Sequence, residues 1–267
     1  MLQSLNTIVF DLDGTLYQDL SIHRIYIRYL LRETDRQPWE TQLISFVEEV
    51  LRGKKLEMNA FYGTDAICES RPETFLLRLG ERAAHSCSYE SALGANNLLY
   101  LGDLWSIVSL LGEALGLPQS GWRHRVYSAT RAEMALRGYT GSETLRKALK
   151  ALSLRYETIL LSNSPEEIAA GVLRQLGYED VFRHIVYDAN KPGGMAEALA
   201  RVCPQALASP ETLLSIGDHA FNDLMPVKAL GGKTVWIYPY PGVKEPAYDW
   251  KLASTEDLAG FIGGFCA

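Results

Sequence analysis

The sequence predicts an α/β protein in which a parallel β-sheet carries helices on both faces and an all-helical segment is inserted after the first strand. A short run of β-branched and apolar residues, Thr7–Phe10, ends abruptly at two carboxylates, as a buried strand does where it leaves a sheet. Beyond Gly141 the chain alternates apolar runs of strand length with amphipathic stretches of helical length. Between these regions, about 120 residues show helical spacing and no strong strand pattern.

The predicted elements follow one another in a simple order. In the insertion, apolar residues recur at helical spacing from Ile22 and again from Leu43, and further helical patterns cover Glu73–Ala84, Glu90–Leu101, Asp103–Leu115 and Trp122–Leu136. After the insertion, helices are predicted over Ser142–Ser153, Pro165–Gly177, Gly194–Cys203, Asn222–Leu230 and Thr255–Phe265. Strands are predicted over Glu157–Leu161, His184–Tyr187, Thr212–Ile216 and Thr234–Tyr238.

This alternation predicts a Rossmann-like core, because strands that are joined through helices run parallel and bury both faces of their sheet. We expect residues 1–18 and 139–267 to form the core and residues 19–138 to form a helical cap domain. The segments Gly14–Asp19 and Arg137–Gly141 connect the two, and connections of this kind can act as hinges.

Composition indicates an ordinary globular protein. The chain has 267 residues, 47% of them hydrophobic and 22% charged, which excludes a disordered or fibrous protein. Its net charge of −6, without a cluster of Lys and Arg, argues against nucleic-acid binding. No apolar stretch is long enough for a membrane span, and residues 1–10 lack the basic region of a signal peptide, so we expect a cytoplasmic protein. The cysteines lack metal-ligand spacing and are predicted to be free thiols: Cys68, Cys87, Cys203 and Cys266.

The most specific motif is Asp11-Leu12-Asp13-Gly14-Thr15, which directly follows the first strand. Open α/β sheets bind their ligands at the carboxyl ends of the strands, so both carboxylates are placed where a ligand would bind. An Asx turn followed by a glycine is the structural alternative for the same residues.

A second motif, Ser162-Asn163-Ser164-Pro165, lies between a predicted strand and a predicted helix. Ser164 with Glu167 fits a capping box, and Pro165 fits the first helical position. A hydroxyl and backbone N–H groups at a helix start are suited to hold a phosphate, which makes Ser162 a candidate phosphate ligand. The structural alternative is that Ser162 helps to cap the helix.

Two further candidate motifs follow later strands. Lys191 lies between the strand that ends at Tyr187 and the next helix, although most lysines are solvated surface charges. Asp218 and Asp223 follow an apolar strand, and acidic residues at such a position are typical of a site for a hard cation. A helix N-cap formed by Asp218 or Asn222 is the structural alternative.

In this order, the motifs resemble those of the haloacid dehalogenase superfamily, and specifically its magnesium-dependent phosphatases. The resemblance covers the first 17 residues and roughly residues 140–240. The helical segment lies where such proteins carry a variable cap, between the first and second motifs, and it is longer than the usual small helical bundle. The short interval between Ser162 and Lys191 leaves no room for a second cap domain.

The resemblance implies a role for each motif residue. Asp11 would be the nucleophile that forms an aspartyl-phosphate intermediate, and Asp13 would be the general acid and base. Ser162, the backbone N–H of Asn163 and the ammonium group of Lys191 would hold the phosphoryl oxygens.

The resemblance also implies a Mg²⁺ cofactor. Asp11 and Asp218 would hold the ion, with Asp223 in support and Asp13 contributing its backbone carbonyl. The cation would offset the repulsion between a carboxylate nucleophile and a dianionic phosphate.

The implied function is hydrolysis of the phosphomonoester of a small soluble metabolite. A phosphomutase, which uses the same pair Asp11 and Asp13, and a non-catalytic phosphate-binding protein of the same fold are the alternatives. A dehalogenase is disfavoured because Asp13 is present and a leaving halide needs no acid. Tyr17, Tyr26 and Tyr29 lie near the start of the cap and either stack on a base or sugar or belong to the core. The sequence leaves the substrate and the oligomeric state open.

Overall fold

The structure is a computed structural model that describes residues 4–117, 121–240 and 244–265. Contacts divide the chain into two compact units. The first comprises Met1–Gln18, Gly138–Pro239 and Pro246–Ala267, and the second comprises Asp19–Arg137 and Tyr240–Glu245. The sequence contains no pattern that groups the short segment Tyr240–Glu245 with the second unit.

The strands and helices of the described residues are numbered in chain order. The strands are β1 Thr7–Phe10, β2 Phe61–Gly63, β3 Leu98–Tyr100, β4 Glu157–Leu161, β5 His184–Val186, β6 Leu213–Gly217, β7 Lys233–Ile237 and β8 Trp250–Leu252. The α-helices are α1 Ile22–Leu31, α2 Glu40–Leu51, α3 Pro72–Gly80, α4 Tyr89–Leu93, α5 Leu104–Ala114, α6 Trp122–Arg137, α7 Glu143–Ser153, α8 Glu166–Leu176, α9 Met195–Val202, α10 Gln205–Ala208, α11 Met225–Leu230 and α12 Thr255–Gly263. Short 3₁₀ turns cover Gln37–Trp39 and Pro210–Thr212, and a π-helical turn covers Ala220–Leu224.

The first unit contains a six-stranded sheet in the order β5-β4-β1-β6-β7-β8, with every neighbouring pair parallel. The chain passes from β1 to β4 on one side and later to β6 on the other. The strand order therefore reverses at β1, and such a switch point is where open α/β sheets form their ligand crevice. The predicted α/β fold with a parallel sheet is confirmed.

The central strands are buried on both faces, which explains their continuous apolar sequences. All of β1 and β6 and most of β4 and β7 lie inside the protein. One face packs Val9, Ile159 and Leu161 against the apolar side of α9, including Met195 and Leu199. On another part of this unit, α7 packs against α12.

Among its described residues, the second unit has helices and one antiparallel ribbon, formed by β2 and β3. This ribbon corrects the prediction of an all-helical insertion. Phe61 pairs with Tyr100 and Gly63 with Leu98, and the two strands are only three residues long. An alternation of two or three residues is too short to be recognised within a helical pattern, so the predicted helix Glu90–Leu101 is in fact α4 followed by β3.

Other differences lie at the ends of elements and in short elements. The predicted helix Asn222–Leu230 begins earlier, with the π-helical turn, and the short edge strand β8 is absent from the predicted elements. Within the described residues, no helix is long and apolar enough to cross a membrane. The described cysteines Cys68, Cys87 and Cys203 are free, and Cys266 lies outside the described residues.

Candidate active site

The motif residues of the first unit lie at the carboxyl ends of β1, β4, β5 and β6. Phe10 pairs with Leu160 on one side and with Ile216 on the other, so these strands end at nearly the same level. The backbone N–H of Asp11 donates a 2.9 Å hydrogen bond to the carbonyl of Ile216, which extends the pairing of β1 with β6 by one residue. Asp11 is therefore held at the end of β1, where the strand order of the sheet reverses.

Lys191 joins two of the predicted aspartates. Its Nζ lies 2.7 Å from Oδ1 of Asp11 and 2.7 Å from Oδ1 of Asp223. The side chains of Lys191 and Asp223 are each 2% exposed, and that of Asp11 is 12% exposed. Lys191 is thus a buried charge and not a solvated surface lysine.

The pKa values of this cluster reflect burial and crowding of like charges. Burial raises the pKa of the Asp11 carboxyl to about 7, and the carboxylates of Asp223 and Asp13 act in the same direction, against the opposing effect of Lys191. Burial alone would lower the pKa of Lys191, but Asp11 and Asp223 raise it above its ordinary value. Lys191 is therefore a permanent cation, whereas the charge on Asp11 depends on its surroundings.

Asp218 completes a group of three carboxylates. Asp11, Asp218 and Asp223 each offer an oxygen within 4.8 Å of the others. Carboxylate oxygens are the ligands that Mg²⁺ prefers, and two of these carboxylates already share the single charge of Lys191. A divalent cation fits this set both by ligand type and by charge.

Two glycines allow these carboxylates to approach the backbone. Gly14 has a φ of 77°, and a Cβ added there would lie 2.0 Å from Oδ2 of Asp218. A Cβ on Gly217 would lie 2.4 Å from Oδ2 of Asp223. Both positions require glycine because a side chain would occupy the space of a carboxylate.

Asp13 is held by two hydroxyl groups. The Tyr17 hydroxyl donates a hydrogen bond to Oδ1 of Asp13, and the Ser164 hydroxyl donates a 3.1 Å hydrogen bond to Oδ2. Tyr17 is 6% exposed, and its ring makes an edge-to-face contact with Tyr139 at 4.9 Å between centroids. Both oxygens of the Asp13 carboxyl group are therefore oriented by neighbours, which argues against a simple Asx turn.

The contact of Ser164 with Asp13 corrects the predicted capping box. Helix α8 begins at Glu166, its N-cap is Pro165, and no side chain caps it. The Ser164 hydroxyl is directed to the carboxylate of Asp13 instead of to the first turn of the helix. The sequence is compatible with a hydrogen bond from Ser164 either to the first turn of α8 or to Asp13. Asp13 comes within reach of Ser164 only when the chain is folded.

Ser162 and Asn163 lie where β4 ends. Ser162 is 1% exposed, and its hydroxyl oxygen accepts a 3.1 Å hydrogen bond from the N–H of Ser164. The hydroxyl thus supports the loop and does not cap α8. Because its oxygen accepts that bond, the hydroxyl proton can be donated to a bound anion.

Asn163 orients Lys191. Its side-chain nitrogen donates a 2.9 Å hydrogen bond to the carbonyl of Lys191, and its side-chain oxygen accepts a 2.7 Å hydrogen bond from the N–H of Lys191. This paired amide contact fixes the backbone from which the lysine side chain reaches Asp11. From the sequence, only the backbone N–H of Asn163 is a candidate ligand, and nothing in the sequence indicates this role of its side chain.

Asp223 is held from its other side. The backbone N–H of His219 donates a 3.0 Å hydrogen bond to Oδ2 of Asp223, and the Ser215 hydroxyl donates a 2.7 Å bond to its carbonyl. The turn after β6 is capped by Nδ1 of His219, which accepts a 3.2 Å hydrogen bond from the N–H of Asn222. The turn after β6 is therefore capped by neither Asp218 nor Asn222. The carboxylate of Asp223 belongs instead to the group that it forms with Asp11 and Asp218.

The structure thus brings together Asp11, Lys191 and Asp223 in direct contact, with Asp218 beside them. The contacts of Tyr17 and Ser164 with Asp13 are not among the predictions from the sequence. Tyr17 lies four residues after Asp13, on the segment that leaves the motif, and this spacing is its only trace in the sequence. Of the other tyrosines considered, Tyr26 is buried against Trp105 and Tyr29 donates a hydrogen bond to Glu133.

Comparisons with known proteins agree with this architecture. A family model described as haloacid dehalogenase-like hydrolase matches residues 5–231. Among curated proteins, none matches the chain in sequence.

Solved structures of similar fold come from proteins with different described activities. A provisionally assigned β-phosphoglucomutase from Thermotoga maritima is 14% identical with a TM-score of 0.51, over 97% of this chain and 99% of that one. A hydrolase of the same family from Bacillus subtilis, bound to magnesium, is 15% identical with a TM-score of 0.50, over 97% and 98%. An L-2-haloacid dehalogenase is 16% identical with a TM-score of 0.51, over 97% and 98%. At these identities the likeness shows the fold alone.

Proposed function

Because the chain belongs to the haloacid dehalogenase-like hydrolases, we propose that it hydrolyses phosphomonoesters of small metabolites through an aspartyl-phosphate on Asp11, with Mg²⁺ as cofactor. The observation that carries this proposal is the orientation of the Asp13 carboxyl group, whose two oxygens accept hydrogen bonds from the hydroxyls of Tyr17 and Ser164. Asp13 also lies close enough to Asp11 that its negative charge contributes to the raised pKa of Asp11. A dehalogenase expels a halide and needs no such acid, whereas an alkoxide leaving group does. A cytoplasmic location is proposed from the sequence alone.

In the first step, a carboxylate oxygen of Asp11 attacks phosphorus, and the bond from phosphorus to the leaving oxygen breaks. Asp13 gives its proton to that oxygen, so the alcohol leaves as a neutral molecule. The hydroxyls of Tyr17 and Ser164 orient the Asp13 carboxyl group for this transfer.

In the second step, Asp13 takes a proton from water, and the water oxygen attacks phosphorus. The bond between phosphorus and the Asp11 oxygen breaks, which releases phosphate and restores the carboxylate. The same residue therefore acts first as acid and then as base.

The remaining residues bind the phosphoryl oxygens. Lys191 supplies a buried positive charge beside the attacking carboxylate, and Asn163 holds the lysine backbone in place. Ser162 donates its hydroxyl proton to a phosphoryl oxygen. Asp11, Asp218 and Asp223 would hold Mg²⁺, with the Asp13 carbonyl as a further ligand, and the ion supplies positive charge that offsets the negative charge of the phosphoryl group.

The experiment that tests this function is phosphate release from a panel of phosphomonoesters, including p-nitrophenyl phosphate, with Mg²⁺ and with EDTA. Turnover that requires Mg²⁺ and is lost in Asp11→Asn supports the proposal. The Asp180→Asn variant is the matched control, because Asp180 is an exposed aspartate of the same unit that pairs with Lys150. Turnover that persists in Asp11→Asn would contradict the assigned nucleophile.

A phosphomutase would share the first step and return the phosphoryl group to a sugar phosphate. Incubation with a sugar phosphate separates the two activities, since a mutase yields an isomer and a phosphatase yields free phosphate.

A further inference from the structure

Trp236, on β7 of the first unit, contacts the backbone of the carboxylate residue Asp218. Trp236 is fully buried, and its Nε1 donates a 2.9 Å hydrogen bond to the carbonyl of Asp218. Trp236 pairs with Gly217, the last residue of β6, so the indole N–H extends the contact between the two strands to the next residue of the chain. The bond therefore holds the peptide group that joins Asp218 to His219.

Both polar groups of this peptide are bonded within the site. Its carbonyl accepts the hydrogen bond from Trp236. Its N–H belongs to His219 and donates a 3.0 Å hydrogen bond to Oδ2 of Asp223. Because a peptide group is planar, a donor that fixes its carbonyl also fixes the direction of its N–H. The same donor polarises the peptide and strengthens the bond from His219 to Asp223. One hydrogen bond from Trp236 thus acts on both Asp218 and Asp223.

The indole ring is held in place by its own neighbours. The ring of Tyr238 is stacked on it, with centroids 4.4 Å apart and an angle of 26° between the ring planes. The ring of Tyr248 is stacked at 5.7 Å and 30°, and Nζ of Lys251 lies 4.9 Å from the centroid of the indole ring. Aromatic and cation–π contacts of this kind add to the stabilisation from burial. The N–H of Trp236 is therefore a donor of fixed direction.

We propose that Trp236 is a positioning residue for the metal site, whose indole N–H holds Asp218 and Asp223 in place for a divalent cation. The inference rests on the proposed function, which assigns Mg²⁺ to Asp11, Asp218 and Asp223. Loss of a group that orients metal ligands through hydrogen bonds typically weakens metal binding about 10- to 100-fold. Loss of the indole N–H would free one peptide that supports two of the three carboxylates.

Calorimetric titration with Mg²⁺ measures this effect without a substrate. Trp236→Phe removes the N–H donor and should weaken Mg²⁺ binding about tenfold. Benzothienylalanine at position 236 has sulfur in the place of Nε1, so it removes the same donor, keeps the size of the ring and should weaken binding equally. Trp250→Phe is the matched control, because Trp250 lies on the neighbouring strand β8 and contacts Phe261. This control should bind Mg²⁺ as the parent protein does.

If the parent protein binds Mg²⁺ and the benzothienylalanine variant binds it as tightly, the proposal is wrong. It is also wrong if Trp236→Phe and Trp250→Phe bind the ion equally. Should Trp236→Phe fail to fold by circular dichroism, the benzothienylalanine variant decides, because it leaves no cavity in the core.

The NMR signal of the indole N–H of Trp236 provides a reading in the parent protein itself. Mg²⁺ should shift this signal more than that of Trp250, because the acceptor of the Trp236 proton is the carbonyl of a residue that would bind the ion. Equal shifts of the two signals would contradict the proposal.

Phosphate release from the panel of phosphomonoesters separates this inference from the proposed function. If the parent protein hydrolyses no ester but binds Mg²⁺ less tightly without the Trp236 donor, the phosphatase function fails and the role of Trp236 stands. If the parent protein hydrolyses an ester with Mg²⁺ and the loss of the donor leaves Mg²⁺ binding unchanged, only the role of Trp236 fails. A parent protein that binds no Mg²⁺ would overturn both.

Discussion

Replacement of Lys191 by methionine should strongly destabilise the metal-free protein. The variant keeps most of the side-chain volume but removes the ammonium group that lies 2.7 Å from both Asp11 and Asp223. Loss of one partner of a buried ion pair costs about 3–5 kcal/mol, because the remaining charge is left without compensation. Here two carboxylates lose their common partner, so we expect a loss in the free energy of unfolding of at least about 3 kcal/mol.

The matched control is Lys228→Met. Nζ of Lys228 also lies 2.7 Å from a carboxylate oxygen, that of Asp249, but its side chain is 30% exposed. Pairs that contact water contribute about 0–1 kcal/mol, so this variant should lose little stability. Both lysines lie at the same distance from their carboxylates, and they differ in burial and in the number of carboxylates that they contact.

Urea unfolding with EDTA and with Mg²⁺ provides the measurement. If the carboxylates hold Mg²⁺, the ion should stabilise Lys191→Met more than the parent protein, since the variant has one more uncompensated negative charge in the cluster. Equal losses in the Lys191 and Lys228 variants would refute the importance of burial. Equal stabilisation of variant and parent by Mg²⁺ would refute the proposed metal ligands.

Three further substitutions test other parts of the structure. Tyr17→Phe removes one of the hydroxyls that orient the Asp13 carboxyl group and should lower kcat about tenfold for an alkyl phosphate. The loss should be smaller for p-nitrophenyl phosphate, because its leaving group needs little protonation. Equal losses on both substrates would contradict this role of Tyr17. Gly14→Ala places a Cβ 2.0 Å from Oδ2 of Asp218 and should weaken Mg²⁺ binding in a metal titration. Gly138→Ala is the control, because Gly138 also has a positive φ but has open space around it. This control should lower only the stability of the protein, by about 1 kcal/mol. Burial lowers the pKa of His23 below its ordinary value of 6.5, so the unfolded chain binds a proton that the folded protein refuses, and stability should fall as the pH drops below 6.5. In His23→Leu, urea midpoints at about pH 7.5 and about pH 5.5 should differ less than in the parent protein, and an unchanged difference would show that other groups cause the acid sensitivity.

The central strands could be predicted because a strand that is buried on both faces consists mostly of apolar residues. Strands such as β1 and β6 are buried on both faces, so most of their residues are apolar and the first charged residue marks the end of the strand. The same property places Asp11 and Asp218 directly after a strand. The grouping of Asp11, Asp218 and Asp223 could be anticipated because the carboxyl ends of neighbouring parallel strands lie at the same edge of the sheet.

Orientation of individual side chains could not be predicted in the same way. Ser164 fits a helix cap as well as it fits the carboxylate of Asp13, and its choice depends on a contact across 151 positions of the chain. Arg131 lies in a helix of mixed polarity, where an arginine usually faces water. Its burial follows from the positions of Trp105 and Tyr127, which only the packing of α5 on α6 defines.

The electrostatics of the site indicate that Asp11, the proposed nucleophile, would need more positive charge than Lys191 alone provides. A nucleophilic carboxylate must be ionised, yet burial and the carboxylates of Asp223 and Asp13 raise the pKa of Asp11 to about 7. Lys191 opposes this shift, but it divides its charge between Asp11 and Asp223. A substrate phosphate would add negative charge to the same place and favour protonation of Asp11 further. A divalent cation among Asp11, Asp218 and Asp223 would reverse this trend, so the carboxylate cluster serves the nucleophile as well as the substrate.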